Sequence, residues 1–397
     1  MDSDAKLSGE PLPLAGVTVV DTTRMLPGAV LARSLLDLGA RVLKIEDPGM
    51  GDPMRHMTPL VDGVGTGFAV FYRGAESVGL NLRSPAGATA LRALVRRADV
   101  FVESFRPGTL ARWGLGPATL QEDNPGLVFC SLPGYPPRGD DDRRVGHDGN
   151  LMGHTGLLDR LGTPGMPPVL FADITSGTLA CTSVLAALMR RERTGRGGVI
   201  SQPLLSGPMQ FLAWPWIDAA AAERARARGE EPEAVDHGLL LGGNVPCYRR
   251  YHCKDERDLT VGCLEPKFWF KLVTLLGAPE LAGAGLDLGE DGAAATARVQ
   301  AILSTKTCDE WLAELAPHDL PIGPVNDLAA ARRDPTMRES GLLEQTPLPG
   351  GGTLDAPGPS YPSLGRTPSR PAPRLAEHSE AVLREFGVDE DTIAALT

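Results

Sequence analysis

Positive charge is in short supply in this chain: 39 lysines and arginines face 50 aspartates and glutamates over 397 residues, a formal charge of −11. Nucleic-acid binding needs a basic face to neutralise phosphates, so no nucleic-acid partner is expected. A small anionic ligand stays open, because a few local arginines suffice to hold one. No apolar run reaches the roughly 18–20 residues of a membrane span, so no membrane partner is expected. Met1 to Glu10 carry neither the basic nor the apolar region of a signal peptide. Ala395-Leu396-Thr397 is not a peroxisomal tripeptide. The six cysteines (130, 181, 247, 253, 263 and 308) are scattered and include no C-x-x-C pair. That usage fits a reducing, cytoplasmic setting rather than a disulfide framework. Cys247, His252 and Cys253 match no familiar zinc spacing.

What is present is an ordinary globular composition, 42% hydrophobic and 22% charged, in a chain long enough for about two domains. Gly16 to Asp21 is a β-branched run that reads as a buried strand. Pro27 to Leu38 has helical apolar spacing, with Gly39 as its stop. Arg41 to Glu46 is the next strand, which completes a right-handed βαβ unit. A second unit follows. Ser84-Pro85 is a good start for a helix from Ala86 to Arg97, followed by strands at 99–103 and 127–131. This alternation implies an open α/β sheet, whose ligands sit beyond the carboxyl ends of the strands. Ile174 to Arg193 reads as a long apolar helix. Residues 259–262 read as a strand, and Pro266 to Leu276 as a helix in a smaller α+β region. The stretch from Asp218 to Glu233 reads as an exposed helix or linker, and residues 346–375 as extended chain.

Three segments carry candidate chemistry: Gly146-His147-Asp148-Gly149-Asn150, Phe171-Ala172-Asp173, and Leu264-Glu265-Pro266-Lys267-Phe268-Trp269. They supply an imidazole and two carboxylates, the groups that take a proton from carbon and return it. Asp173 stands just before the long helix, where free amides and the helix dipole favour negative charge. Taken alone, it reads equally as a plain N-cap, His147 as a loop histidine and Glu265 as a surface helix start.

These segments, with Lys44 to Arg55, Ala98 to Gly116, Leu185 to Gly197 and Pro371 to His378, resemble the family III coenzyme A transferases, and within them the α-methylacyl-CoA racemase branch. The likeness runs over nearly the full chain. It implies an α/β fold with a large Rossmann-like domain of open parallel sheet and a smaller α+β domain, paired in an interlocked homodimer. The large domain is expected over 1–210, completed by 350–397. A linker is expected at 211–240, the small domain at 241–330 and a return linker at 331–349. The site would lie between the large domain of one subunit and the small domain of the other. By resemblance, His147 and Asp173 face opposite sides of the α-carbon of an acyl-CoA, and Glu265 orients His147. The amide at the start of the long helix would receive the enolate oxygen. No metal or redox cofactor is required, CoA being the substrate's carrier. Its phosphates would meet Arg83, Arg106, Arg112 and Arg73, with Asp148 also at the CoA site.

The chain departs from the family pattern in places. Ala75 and Glu76 stand where basic residues are usual, the loop at 134–139 is altered, and Asp140 to Asp142 precede His147. These changes point to a specialised substrate. Transferases carry a glycine run where this chain has Val261-Gly262-Cys263-Leu264-Glu265, which favours the racemase reading. The alternative is a CoA transferase with Asp173 as the nucleophile that forms a mixed anhydride and then an aspartyl-CoA thioester. A CoA-ester binding protein without catalysis is a third reading.

Overall fold

The structure, a computed structural model, describes residues 11–136, 144–162, 164–231, 238 and 240–396. The chain forms two compact units, Met1–Phe211 with Pro335–Thr397, and Leu212–Asp334. The acidic run at 140–142 lies outside the described residues.

The first unit is built on six parallel strands: β1 Thr18–Asp21, β2 Arg41–Glu46, β3 Glu76–Gly79, β4 Val100–Glu103, β5 Val128–Ser131 and β6 Gly198–Ser201. Their spatial order is β3-β2-β1-β4-β5-β6. Val19 on β1 pairs with Val42 on one side and Val100 on the other, all three fully or nearly fully buried. Near-continuous apolar strands of this kind need helices on both faces. The chain runs outward from β1 to β3 and then returns to β4. The carboxyl ends of β1 and β4 therefore flank the point where the order reverses, which is where an open α/β sheet leaves a crevice.

Helix α1, Leu26–Asp37, follows β1 and is buried from Pro27 onward. It packs against a long helix, Phe171–Thr194. The approach is tight at Gly177, where a Cβ would stand 2.6 Å from the Pro27 carbonyl oxygen. That long helix is apolar enough by length and composition to cross a bilayer. Here its inward residues, among them Ala180, Cys181 and Val184, belong to the core beside α1. Helix α2, Pro85–Arg96, starts as the sequence implies, with the Ser84 hydroxyl accepting from the Gly87 amide at 3.0 Å.

A buried polar cluster lies beneath the crevice. Lys44 on β2 is fully buried. Its ammonium donates to the Thr23 carbonyl at 2.6 Å and the Tyr72 hydroxyl at 2.8 Å, and stands 3.2 Å from Asp52 and 3.4 Å from Asp21. Burial alone would favour the neutral amine, but Asp21, Tyr72 and Asp52 together hold its pKa above the usual lysine range. Asp21 in turn accepts from the Thr23 amide and hydroxyl at 2.8 and 2.6 Å. The turn leaving β1 is thereby fixed through Met25, whose φ is +65°. Next to it, Arg55 makes a two-pronged pair with Glu46 at 2.8 and 2.6 Å.

The second unit carries a three-stranded antiparallel sheet: β7 Tyr248–His252, β8 Asp258–Gly262 and β9 Ile322–Pro324, with β8 in the middle. Trp269 and Trp311 anchor its core, and each indole N–H is satisfied by a carbonyl, of Leu281 and Leu303 respectively. The stretch expected as a linker at 211–240 is helical as far as Ala227, within a helix from Ser206. All six cysteines are free and buried. Burial pushes the thiols of Cys130, Cys253 and Cys263 up to about 12, which keeps them protonated and unreactive.

Removing Lys44 leaves two buried carboxylates without their cation. Lys44→Met is therefore expected to cost about 3–5 kcal/mol, read as a lower midpoint in urea unfolding. Arg112→Ala, at an exposed position, is expected to shift that midpoint little.

Candidate active site

His147 occupies the N-cap position of helix α3, Asp148–Thr155. Its backbone is clamped. The His147 amide donates to the Asn150 side chain at 3.0 Å, and the Asn150 amide donates back to the His147 carbonyl at 2.9 Å. The residue itself is exposed, so a fixed backbone presents the imidazole to solvent. Gly146 is required just before it, since a Cβ there would stand 2.8 Å from the Tyr135 hydroxyl. Tyr135 is sandwiched, with His154 edge-on at 5.3 Å and the Arg144 guanidinium 4.6 Å above the ring.

Asp173 sits in the first turn of helix α4, Phe171–Thr194, whose N-cap is Leu170. This corrects the expectation that Asp173 precedes the helix and caps it. The capping carboxylate comes from elsewhere in the chain: Asp148 accepts the Asp173 amide at 3.0 Å. Asp148, expected at the CoA site, is 6% exposed, is held at this helix start and lines neither crevice cavity described below.

One carboxylate thus links the starts of α3 and α4 and sets Asp173 near His147. Burial raises the Asp173 pKa to about 6, the Asp148 charge adds to that rise, and His147 opposes it. The result is a carboxyl group that exchanges its proton near neutrality, beside an imidazole. Around it the surface is apolar: Val145, Met166, Val169, Leu170 and Ile174 are all exposed.

Two cavities continue from His147. One, of about 410 Å³, is lined by His147, Gly146, Tyr135, Arg144, Ser104 and Arg106. The next, of about 370 Å³, is lined by Arg24, Arg83, Arg106, Asn81, Asp47 and Trp113 among others. Phe105 and Arg106 belong to both, so one wall runs from the imidazole to Arg83. The second cavity sits at the carboxyl ends of β1 to β4. Arg24, Arg83 and Arg106 are exposed, and among the described residues none of their guanidiniums has a protein partner. Three unpaired guanidiniums on one cavity suit phosphate groups.

Arg24 escaped the reading of the sequence, although its place three residues beyond the end of β1 was a usable signal. Arg112 is exposed on the neighbouring short helix, donates to the Thr109 hydroxyl at 3.1 Å and lines neither cavity. Arg73 lies apart from these two cavities, its buried guanidinium paired to Asp37 at 2.7 Å and Glu344 at 2.6 Å. Glu265 belongs to the second unit, exposed at the N-cap position of the helix Pro266–Leu275.

The fold agrees with comparison to known proteins. Residues 14–379 match the profile of CoA-transferase family III, and the chain belongs to that family. It is 30% identical to the mouse (Mus musculus) alpha-methylacyl-CoA racemase over 392 residues, which covers 96% of each chain. It is also 30% identical to the mouse succinyl-CoA:glutarate CoA-transferase over 404 residues, covering 97% of this chain and 89% of that protein. A crystal structure of a CAIB/BAIF family protein from Brucella suis is 30% identical and superposes with a TM-score of 0.78, covering 95% of this chain and all of that one. Racemases and transferases are thus equally near in sequence.

The raised Asp173 pKa has a stability consequence. The group ionises near its ordinary value of 3.8 when unfolded and near 6 when folded. Its protonated form thus favours the fold below about pH 4, and that contribution is lost as pH rises through 6. Asp173→Asn is expected to stabilise the protein by on the order of 1–2 kcal/mol at neutral pH after solvent screening, and not at all near pH 4. Urea titrations at the two pH values check it.

Proposed function

We propose that this protein is a cofactor-independent racemase or epimerase of 2-methylacyl-CoA thioesters that acts by proton transfer at the α-carbon. The observation that carries the reading is the pairing of an exposed imidazole with a carboxyl group whose pKa is raised to about 6, at the mouth of an arginine-lined crevice. A carboxyl at its ordinary value would be protonated in fewer than about one molecule in a thousand at pH 7, whereas at about 6 the fraction is roughly a tenth. That fraction lets Asp173 donate as well as accept.

In one direction neutral His147 takes the α-proton, the electron pair moves onto the thioester oxygen as an enolate, and protonated Asp173 delivers its proton to the opposite face. The reverse direction starts from imidazolium and carboxylate. The two states carry the same number of protons, so no net exchange with solvent is needed to complete a turnover. The apolar rim of Met166, Val169, Leu170 and Ile174 receives the acyl group and excludes water, which strengthens the electrostatics of proton transfer. Arg24, Arg83 and Arg106 hold the phosphates of CoA. In this reading the protein acts as an interlocked homodimer, in which Glu265 of a second copy orients the His147 imidazole.

A second reading keeps the same crevice and makes Asp173 a nucleophile. It attacks the thioester carbonyl and expels CoA as thiolate to give a mixed anhydride; CoA thiolate then attacks the aspartyl carbonyl, releasing the donor acid as carboxylate and leaving an aspartyl-CoA thioester. The 30% identity to a succinyl-CoA:glutarate CoA-transferase favours it. The absence of a glycine run at 261–265 disfavours it.

The deciding experiment incubates the protein in D₂O with one configuration of a 2-methylacyl-CoA and no acceptor acid. Deuterium at C2 with loss of configuration is expected, and the loss of configuration is expected to fall by about 10²–10⁴-fold in His147→Ala and in Asp173→Ala. Exchange that is absent, with CoA movement on addition of a carboxylic acid, would instead establish the transferase. For the crevice, Arg24→Ala and Arg83→Ala should each raise KM for a CoA thioester about tenfold and leave the matching pantetheine thioester unchanged. Equal effects on both thioesters would remove the phosphates from this cavity.

A further inference from the structure

A further cavity in the first unit has no part in the chemistry above. It measures about 270 Å³ and lies at the amino ends of β2 and β3, which begin at Arg41 and Glu76. The crevice is at the opposite, carboxyl end of the same sheet. One wall of this cavity is the segment Arg366-Thr367-Pro368-Ser369-Arg370.

Three carboxylates also line the cavity, and each is already taken. Asp37 is paired with Arg73 at 2.7 Å and stands 3.5 Å from Arg33. Glu344 is paired with Arg73 at 2.6 Å, and both Glu76 oxygens accept from Arg41, at 2.7 and 2.8 Å. Arg41 is engaged by Glu385 as well. Two cations are left over. Among the described residues, the Arg366 guanidinium makes one hydrogen bond, to the Gly341 carbonyl at 2.8 Å, and the Arg370 guanidinium has no protein partner. The hydroxyls of Thr367 and Ser369 likewise have none.

These donors are held in place. Arg366 is anchored at Gly341, and the Pro371 carbonyl accepts from the Gly74 amide at 3.2 Å, which ties down the other end of the segment. Pro368 and Pro371 fix two of its φ angles. A wall ordered beforehand loses little entropy when a ligand settles on it. Two guanidiniums and two hydroxyls on one small cavity match a tetrahedral oxyanion, which can accept on every oxygen. A planar carboxylate would satisfy one guanidinium and leave the other unused. The volume lies below the roughly 300–1,000 Å³ of ordinary ligand pockets, so the cavity suits a small phosphorylated molecule rather than CoA.

We propose that this cavity is a second anion site, which binds the phosphate group of a small phosphorylated molecule through Arg366 and Arg370, with Thr367 and Ser369 as further donors. It is separate from the crevice, and it does not depend on which reaction the crevice supports.

The test is calorimetry of the full chain with inorganic phosphate. Arg83→Ala combined with Arg106→Ala removes donors from the crevice and so separates the two arginine sites. Phosphate is expected to bind this variant still. Adding Arg366→Gln and Arg370→Gln should weaken that binding by roughly tenfold or more. Lysine at 366 and 370 keeps the charge without the two-pronged geometry, and should recover part of the affinity. Both positions are exposed, so the glutamine variant is expected to keep its parent's urea midpoint, which separates lost binding from lost folding. No heat with millimolar phosphate would overturn the proposal, as would binding that survives both glutamine substitutions. Binding lost in Arg83→Ala with Arg106→Ala alone would place the phosphate in the crevice and overturn it too. Failure of α-proton exchange would count against the racemase reading and leave this site untouched.

Discussion

The contact on which the site depends is the hydrogen bond from the Asp173 amide to the buried Asp148 carboxylate. Asp148 is the first residue of one helix and Asp173 lies in the first turn of another, so a single carboxylate satisfies an orphan amide of α4 while sitting at the dipole of α3. Because His147 adjoins Asp148 in the chain, fixing Asp148 against α4 fixes His147 near Asp173. The same carboxylate adds its charge to the burial that raises Asp173 toward neutrality. The geometry of this site is therefore a consequence of one interaction, while its acidity comes first from burial and second from the Asp148 charge.

Charged residues at the carboxyl end of the sheet divide into two populations. Lys44, Asp21, Asp52, Glu46 and Arg55 are buried and mutually satisfied, and they hold the turn that leaves β1. Arg24, Arg83 and Arg106 stand just above them, exposed and, among the described residues, without protein partners. Buried charge of this kind is costly to unpair, which makes the lower layer rigid. The upper layer is left with free donors on a firm base, as a phosphate site needs. Arg73 shows the importance of the distinction: as a side chain it resembles its neighbours, but Asp37 and Glu344 have already claimed it.

Most of the sheet was legible because buried parallel strands leave β-branched runs, as at Thr18–Asp21, Arg41–Glu46 and Val100–Glu103. Strand β3, Glu76–Gly79, left no such trace, since Val78 is its single large apolar residue and pairing with β2 defines it. The start of α2 was legible through Ser84, a local signal. The start of α4 was not, because its capping group lies 25 residues back in the chain at Asp148. The arginines failed in the same way. Sequence shows that Arg73 and Arg24 are cations, but the partners of Arg73 lie 36 and 271 positions away, and the crevice that exposes Arg24 is made by four strands. The three candidate chemical residues were found through resemblance rather than local pattern, and the fold places His147 and Asp173 in one unit and Glu265 in the other.

The central claim is that His147 and Asp173 serve opposite faces of one α-carbon, and the most direct test follows each enantiomer separately. The R and S forms of an α-deuterated 2-methylacyl-CoA are each offered to His147→Ala and to Asp173→Ala in ordinary water, and loss of the label is read by mass spectrometry. The account predicts mirror-image behaviour: each variant still washes label from one enantiomer, and the two variants retain opposite ones. Wash-out of the same enantiomer by both variants would place both groups on one face and contradict the two-sided mechanism.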